Sequence, residues 1–162
     1  MKPDGGSLIG FGSSGLVGAS FKAFDPARNS SIEPSFQSAT MEDVERAVQL
    51  AAAAAPVWAR LAGADRHKFM GAIADKLEAR AAELVARAMQ ETGLPEARLK
   101  GEVGRTAGQL RLYGGTAARG EWLDARIETA LPERQPLPKP DHRSLLRPLG
   151  DRKSTRLNSS HG

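Results

Sequence analysis

Residues 65–93, with the sequence DRHKFMGAIADKLEARAAELVARAMQETG, decide the fold that this chain is expected to adopt. Apolar side chains recur here at steps of three and four residues, which is the spacing of one face of an α-helix. Asp65 is a favourable N-cap residue, and Gly93, followed by Leu94 and Pro95, is a favourable helix stop. We therefore predict one continuous helix, whose apolar stripe other helices must cover. The stripe consists of Phe69, Met70, Ile73, Ala74, Leu77, Ala81, Leu84, Val85 and Ala88.

A second helix is predicted before this one, near residues 41–55. Thr40 can act as its N-cap, with Asp43 in the position that a glutamate takes in a capping box. Pro56 is predicted to end the helix, and Trp58 is predicted to pack under the turn that follows. The predicted buried face of this helix consists of Val44, Ala47, Val48, Ala51, Ala52 and Ala55.

A third helix is predicted near residues 96–118, with Pro95 in its first turn and either residues 114–115 or Gly120 at its end. Glycines inside a helix each cost about 1 kcal/mol relative to alanine, so those here predict a close packing contact. We expect Gly104 and Gly108 to mark a close crossing with another helix. The interior glycines are Gly101, Gly104 and Gly108, and the predicted apolar side is Leu99, Val103, Ala107, Leu110, Tyr113 and Ala117.

The N-terminal region is predicted to be a glycine-rich β-hairpin. Residues 7–24 alternate weakly, which indicates two short strands joined by a turn, and residues 25–38 are predicted to be turn and loop. The segment GFGSSG at 10–15 matches the G-x-G-x-x-G pattern of dinucleotide-binding loops. That mechanism requires a buried strand before the glycines and a helix directly after them. Because residues 16–21 are strand-like, we interpret the glycines as the hairpin turn.

The C-terminal region changes character after Trp122. Residues 127–140 contain four prolines, which predicts extended chain that cannot form a central strand. Residues 143–147 alternate and are predicted to form a strand. Residues 151–162 are polar and have no periodic pattern, which predicts a disordered tail.

Composition limits the possible functions of the 162 residues. The chain has no cysteine, so these residues provide no disulfide, no thiolate metal ligand and no cysteine nucleophile. The net charge is +4, of which residues 151–156 carry +2, so the remainder gives little reason to expect nucleic acid as a partner. The sequence has neither a membrane-length apolar run nor the apolar core of a signal peptide. We therefore expect a cytoplasmic protein without membrane or nucleic-acid partners.

The candidate catalytic and metal-binding side chains do not form a recognisable site. The histidines are too scattered for a metal, the serines lack the strand and helix around a hydrolase nucleophile, and the carboxylates suit helix caps and solvated faces. We therefore predict no catalytic, cofactor-binding or metal-binding residue within this chain. The side chains considered are His67, His142 and His161, Ser13 and Ser14, and Glu42, Asp43 and Glu78.

Six segments of the sequence are informative because of their order and their spacing along the chain. They are FDPA at 24–27, the helix at 40–58, IADKLE at 73–78, QETGLP at 90–95, QLRLYGGTAARGEWLDAR at 109–126 and LRPLG at 146–150. With these segments, residues 8–150 resemble the N-terminal part of an aldehyde dehydrogenase. The subgroup to which they are most similar comprises bacterial NADP-dependent enzymes that act on 2-oxoglutarate semialdehyde (2,5-dioxopentanoate).

The resemblance implies an oxidoreductase whose catalytic part follows residue 150. Residues 1–150 would be an incomplete portion of the α/β nucleotide-binding domain, without its parallel sheet, and would be inactive alone. The parent enzyme would take a small-molecule aldehyde and NADP and would be a homodimer or homotetramer, partly through residues 127–146. Residues 151–162 resemble a translated sequencing adapter, which implies a non-native tail. The alternative is a stand-alone three-helix interaction module with a basic tail.

The fold class expected from these arguments is mostly α, with three main helices, an N-terminal β-hairpin and an extended C-terminal strand region. Without a sheet to cover the helices, the apolar side chains Ile73, Leu84, Val103 and Leu110 would be partly exposed. Exposed apolar patches promote association. We therefore expect the isolated chain to associate rather than to remain a well-behaved monomer.

Overall fold

The computed structural model describes residues 5–13 and 18–147, so the predicted tail at 151–162 lies outside the described residues. The described residues form four α-helices and three two-stranded antiparallel sheets, which confirms a mostly helical chain with small sheets. The helices are α1 (Met41–Arg60), α2 (Gly63–Ala79), α3 (Ala81–Thr92) and α4 (Glu96–Arg119). The strands are β1 (Leu8–Ile9), β2 (Gly12–Ser13), β3 (Ser20–Asp25), β4 (Ser30–Gln37), β5 (Arg126–Glu128) and β6 (His142–Ser144). The chain divides into two compact units, Met1–Ala118 and Arg119–Gly162.

The prediction of one continuous helix over residues 65–93 is wrong, because Arg80 separates α2 from α3. The Arg80 guanidinium donates to both carboxylate oxygens of Glu83, in the first turn of the new helix. No proline or glycine marks this break, and therefore the apolar period could not reveal it. The helix also starts earlier than predicted, at Gly63. The predicted stop at Gly93 is confirmed, since Gly93 has a left-handed conformation with φ of 69°.

The start of α1 agrees with the prediction, and its end does not. Thr40 and Asp43 form the predicted capping box, in which each side chain accepts a hydrogen bond from the other's backbone N–H. Pro56 lies inside the helix, which continues to Arg60. The last turn is held by α2, because the ring of Trp58 lies edge-on to Phe69 with the ring centroids 5.2 Å apart. This contact offsets the loss of the backbone hydrogen bond that the proline cannot donate.

The predicted burial of α1 is also wrong, because none of its residues is buried. Val44 is 46% exposed and Val48 is 58% exposed. The apolar residues do recur at helical spacing along one face of α1. However, no other element in the described part of the chain covers that face. The buried apolar residues lie instead on β1 and on the later helices. They are Ile9, Ala74, Val85, Leu99 and Ala107.

The predicted close crossing at Gly104 and Gly108 is wrong. A Cβ atom built on either glycine would meet nothing within 4 Å. The close contacts of α4 lie nearer its C-terminal end, where a Cβ on Gly114 would be 3.3 Å from the Cα atom of His67 in α2. Gly114 is therefore a packing residue and not a helix stop. The helix ends at Gly120, whose φ of 71° is left-handed.

The first part of the chain forms two hairpins where one was predicted. The turn at Gly10, with φ of 63°, joins β1 to β2. The second strand, Gly12–Ser13, therefore lies inside the segment that was predicted to be the turn. The prediction of loop over residues 25–38 is wrong, because β4 pairs antiparallel with β3. A register shift between Lys22 and Ala23 leaves Glu33 and Pro34 outside the ladder pairs, so the proline is tolerated.

The β3–β4 hairpin is fixed at both ends. Buried Asp25 accepts hydrogen bonds from the backbone N–H groups of Ala27 and Arg28, which closes the turn. At the other end, the guanidinium of Arg87 in α3 donates to the Glu33 carbonyl oxygen and lies 5.9 Å from the ring centroid of Phe36. The hairpin is therefore attached to α3.

The second unit contains the β5–β6 hairpin. Ile127 pairs with Arg143 in the ladder, and an isolated bridge joins Leu131 to Lys139. The four prolines lie between the strands, so this segment folds back rather than running extended throughout. The predicted strand at 143–147 is present in part, because β6 ends at Ser144.

The approach of α2 to α4 generates a prediction about two glycines on the same helix. A Cβ on Gly63 would lie 2.2 Å from the carbonyl oxygen of Ala117, whereas a Cβ on Gly71 would meet nothing within 4 Å. We expect Gly63→Ala to destabilise the chain by about 1–3 kcal/mol, because the backbones must move apart. We expect the control, Gly71→Ala, to stabilise it by up to about 1 kcal/mol through helix propensity.

The measurement is the midpoint of thermal unfolding, followed by helical circular dichroism, for both variants at the same protein concentration. Equal midpoints for the two variants would contradict the close backbone approach.

Candidate functional site

An open apolar groove of about 290 Å³ lies between α3 and α4, and the end of α2 contributes to it. We call it the α3–α4 groove. Its residues fall at helical spacing on each wall, so one face of each helix forms it. They are Leu77, Leu84, Val85, Ala88, Leu99, Glu102, Val103 and Thr106.

The polar groups of the α3–α4 groove already have partners. The Glu102 carboxylate accepts hydrogen bonds from Arg105 at 2.6 and 2.9 Å. The Thr106 hydroxyl donates to the Glu102 carbonyl oxygen at 2.8 Å, as is common for a threonine inside a helix. Neither group is therefore poised to orient a polar substrate. The chemistry of the groove is that of an apolar binding surface.

A charged cluster joins α2 to α4 on an exposed face. The guanidinium of Arg111 donates to both carboxylate oxygens of Glu78, at 2.6 and 2.7 Å, and to Asp75 at 2.7 Å. These bonds lower the pKa of Glu78 below its ordinary value of 4.5 and raise that of Arg111. A carboxylate held in this way stays ionised and is a poor proton donor or acceptor near neutral pH. The cluster is structural.

The other shifted carboxyl groups of the helical region have equally local causes. The pKa of Asp43 is lowered by hydrogen bonds from Thr40, and that of Glu83 by Arg80. Lys100 lowers the pKa of Glu96 in the same way. Each of these is a helix cap or a pair one turn apart. A raised carboxyl pKa, which would suggest a general acid, is not among them.

The histidines considered in the sequence analysis do not converge on a common site. His67 lies in α2, where it packs against Gly114 of α4. His142 lies in β6 of the other unit, on a shallow polar face shared with Arg126, Glu128 and Ser144. His161 lies outside the described residues. Residues 5–13 and 18–147 contain no group of three histidine or carboxylate side chains placed to hold a metal ion.

The glycine-rich segment at 10–15 is only partly described. Gly10 and Gly12 belong to the β1–β2 hairpin, and Ser13 pairs with Leu8. Ser14 and Gly15 lie outside the described residues, and the next described element is a strand, β3. A phosphate loop depends on the N-terminus of a helix at this point. The described part of the segment forms a hairpin turn.

The carboxylates considered earlier also have structural positions. Asp43 closes the capping box of α1, and Glu42 lies beside it in the first helical turn. Glu78 is bonded to Arg111, an interaction that its sequence neighbours did not indicate. Within the described segments, no helix is both long and apolar enough to cross a bilayer.

A solved structure shares this fold. The crystal structure of PnpE in complex with nicotinamide adenine dinucleotide superimposes with a TM-score of 0.60 and 28% identity, over 68% of this chain and 22% of that chain. The arrangement of helices and hairpins therefore resembles part of that protein. Residues 15–139 match the aldehyde dehydrogenase family, and the chain belongs to that family. The resemblance drawn from residues 8–150 is confirmed.

Two curated relatives share more sequence with the chain. It is 43% identical over 144 residues to alpha-ketoglutaric semialdehyde dehydrogenase 2 of Azospirillum brasilense, which covers 88% of this chain and 27% of the relative. It is 44% identical over 108 residues to alpha-ketoglutaric semialdehyde dehydrogenase of Acinetobacter baylyi, which covers 67% of this chain and 20% of the relative. The chain therefore spans about a quarter of the length of these relatives.

The α3–α4 groove was anticipated only in part. The sequence predicted that Leu84 and Val103 would lack full cover, and both line the groove. The sequence placed them on apolar helix faces but could not show that the two faces meet along one groove. That required the positions of α3 and α4 relative to each other.

The Arg111 cluster generates a prediction about acid stability. A carboxyl group with a lowered pKa in the folded state contributes stability above its unfolded pKa, and this contribution is lost as the pH falls through the folded value. We expect Glu78→Gln to lower stability at pH 7 and to flatten the loss of stability below about pH 4.5. Glu133→Gln is the control, because among the described residues Glu133 makes no ion pair.

Urea unfolding at pH 7 and at pH 3 measures both effects. A Glu78→Gln variant that loses as much stability on acidification as the unmodified chain would contradict the prediction.

Proposed function

We propose that this chain forms the N-terminal portion of an NADP-dependent aldehyde dehydrogenase that oxidises 2-oxoglutarate semialdehyde to the carboxylic acid. The observation that carries the proposal is the 43% identity over 144 residues to a relative named for that activity. Membership of the aldehyde dehydrogenase family supports the reaction class. The preference for NADP follows from the resemblance to the bacterial NADP-dependent subgroup.

The reaction proposed for the parent enzyme is covalent. A thiolate attacks the aldehyde carbon, the resulting thiohemiacetal transfers a hydride to the cofactor, and an activated water hydrolyses the thioester. The 162 residues contain no cysteine. The nucleophile therefore belongs to polypeptide other than these residues. The resemblance to the family implies the same for the cofactor contacts and the base, and this chain contributes helical cover. By itself it is inactive.

We also assign a role in subunit contact to the β5–β6 hairpin. Apolar side chains project into solvent along this unit, including Ile127, Leu131 and Leu137. A two-stranded hairpin with exposed apolar residues is suited to pair with another chain through its strand edges. The parent enzyme is accordingly proposed to be a homodimer or homotetramer.

The proposal is tested with a chimaera that joins residues 1–150 to the remaining sequence of the Azospirillum brasilense relative. Reduced cofactor is followed by absorbance, with 2,5-dioxopentanoate and either NADP or NAD. We expect turnover by the chimaera with NADP preferred, and none above background by the 162-residue chain, because only the chimaera can supply the thiolate. The relative's remaining sequence without residues 1–150 is the control.

Turnover by the 162-residue chain alone would contradict the proposal. So would a folded, soluble chimaera that oxidises other aldehydes and leaves 2,5-dioxopentanoate unchanged.

A further inference from the structure

We draw no further inference here: the strongest candidate, the exposed apolar face of α1 that includes Met41, Val44 and Val48, carries none, because nothing in the described residues shows what covers it.

Discussion

The close approach of α2 and α4 is the constraint on which the helical part of the structure depends. At one end, Gly63 allows the start of α2 to meet the backbone of Ala117, and a turn further on Gly114 allows α4 to pass over His67. Side chains at these positions would separate the helices. Dispersion forces fall steeply with distance, so a close approach favours small residues, and Ala74 of α2 and Ala107 of α4 are both fully buried.

The charged cluster around Arg111 complements this packing. The guanidinium reaches two carboxylates on α2 from a position between the buried Ala107 and Gly114, and so fixes the rotation of α4 about its axis. Exposed ion pairs contribute little net stability, because solvent screens them. Their value here is geometric, since a bidentate guanidinium accepts few orientations. The glycines set the distance between the helices, and the arginine sets their register.

The same geometry explains why the α3–α4 groove is open. α3 is a separate helix from α2, because the helix breaks at Arg80, and α3 is attached through Arg87 to the β3–β4 hairpin. α4 contacts α2 through Gly114 and through the Arg111 cluster, and the groove-lining side chains Leu84 and Val103 stay partly exposed. The chain belongs to the aldehyde dehydrogenase family and spans about a quarter of the length of the curated relatives that it matches.

The sequence by itself determined the features that depend on neighbouring residues. Thr40 and Asp43 identified the capping box, Gly93 identified a left-handed stop, and the apolar periods located the helical regions. Six ordered segments were sufficient to recognise the family, because their spacing reflects one inherited fold. The absence of cysteine was likewise evident from the sequence, and it means that these residues cannot supply a thiolate nucleophile.

Only the tertiary structure decided which helix faces meet. Gly104 and Gly108 have the spacing that is typical of a close helix crossing, but a Cβ at either position would meet nothing within 4 Å. The close contact between helices occurs at Gly63 and Gly114 instead. Pro56 remained inside α1 because the Trp58 ring packs edge-on against Phe69 of the next helix, and β4 formed because β3 was available to pair with it. A sequence pattern indicates the local structure that a segment can form with residues close to it in the chain. Burial and close contact depend on residues distant along the chain, and their free energies override weak local preferences only once those residues have come together.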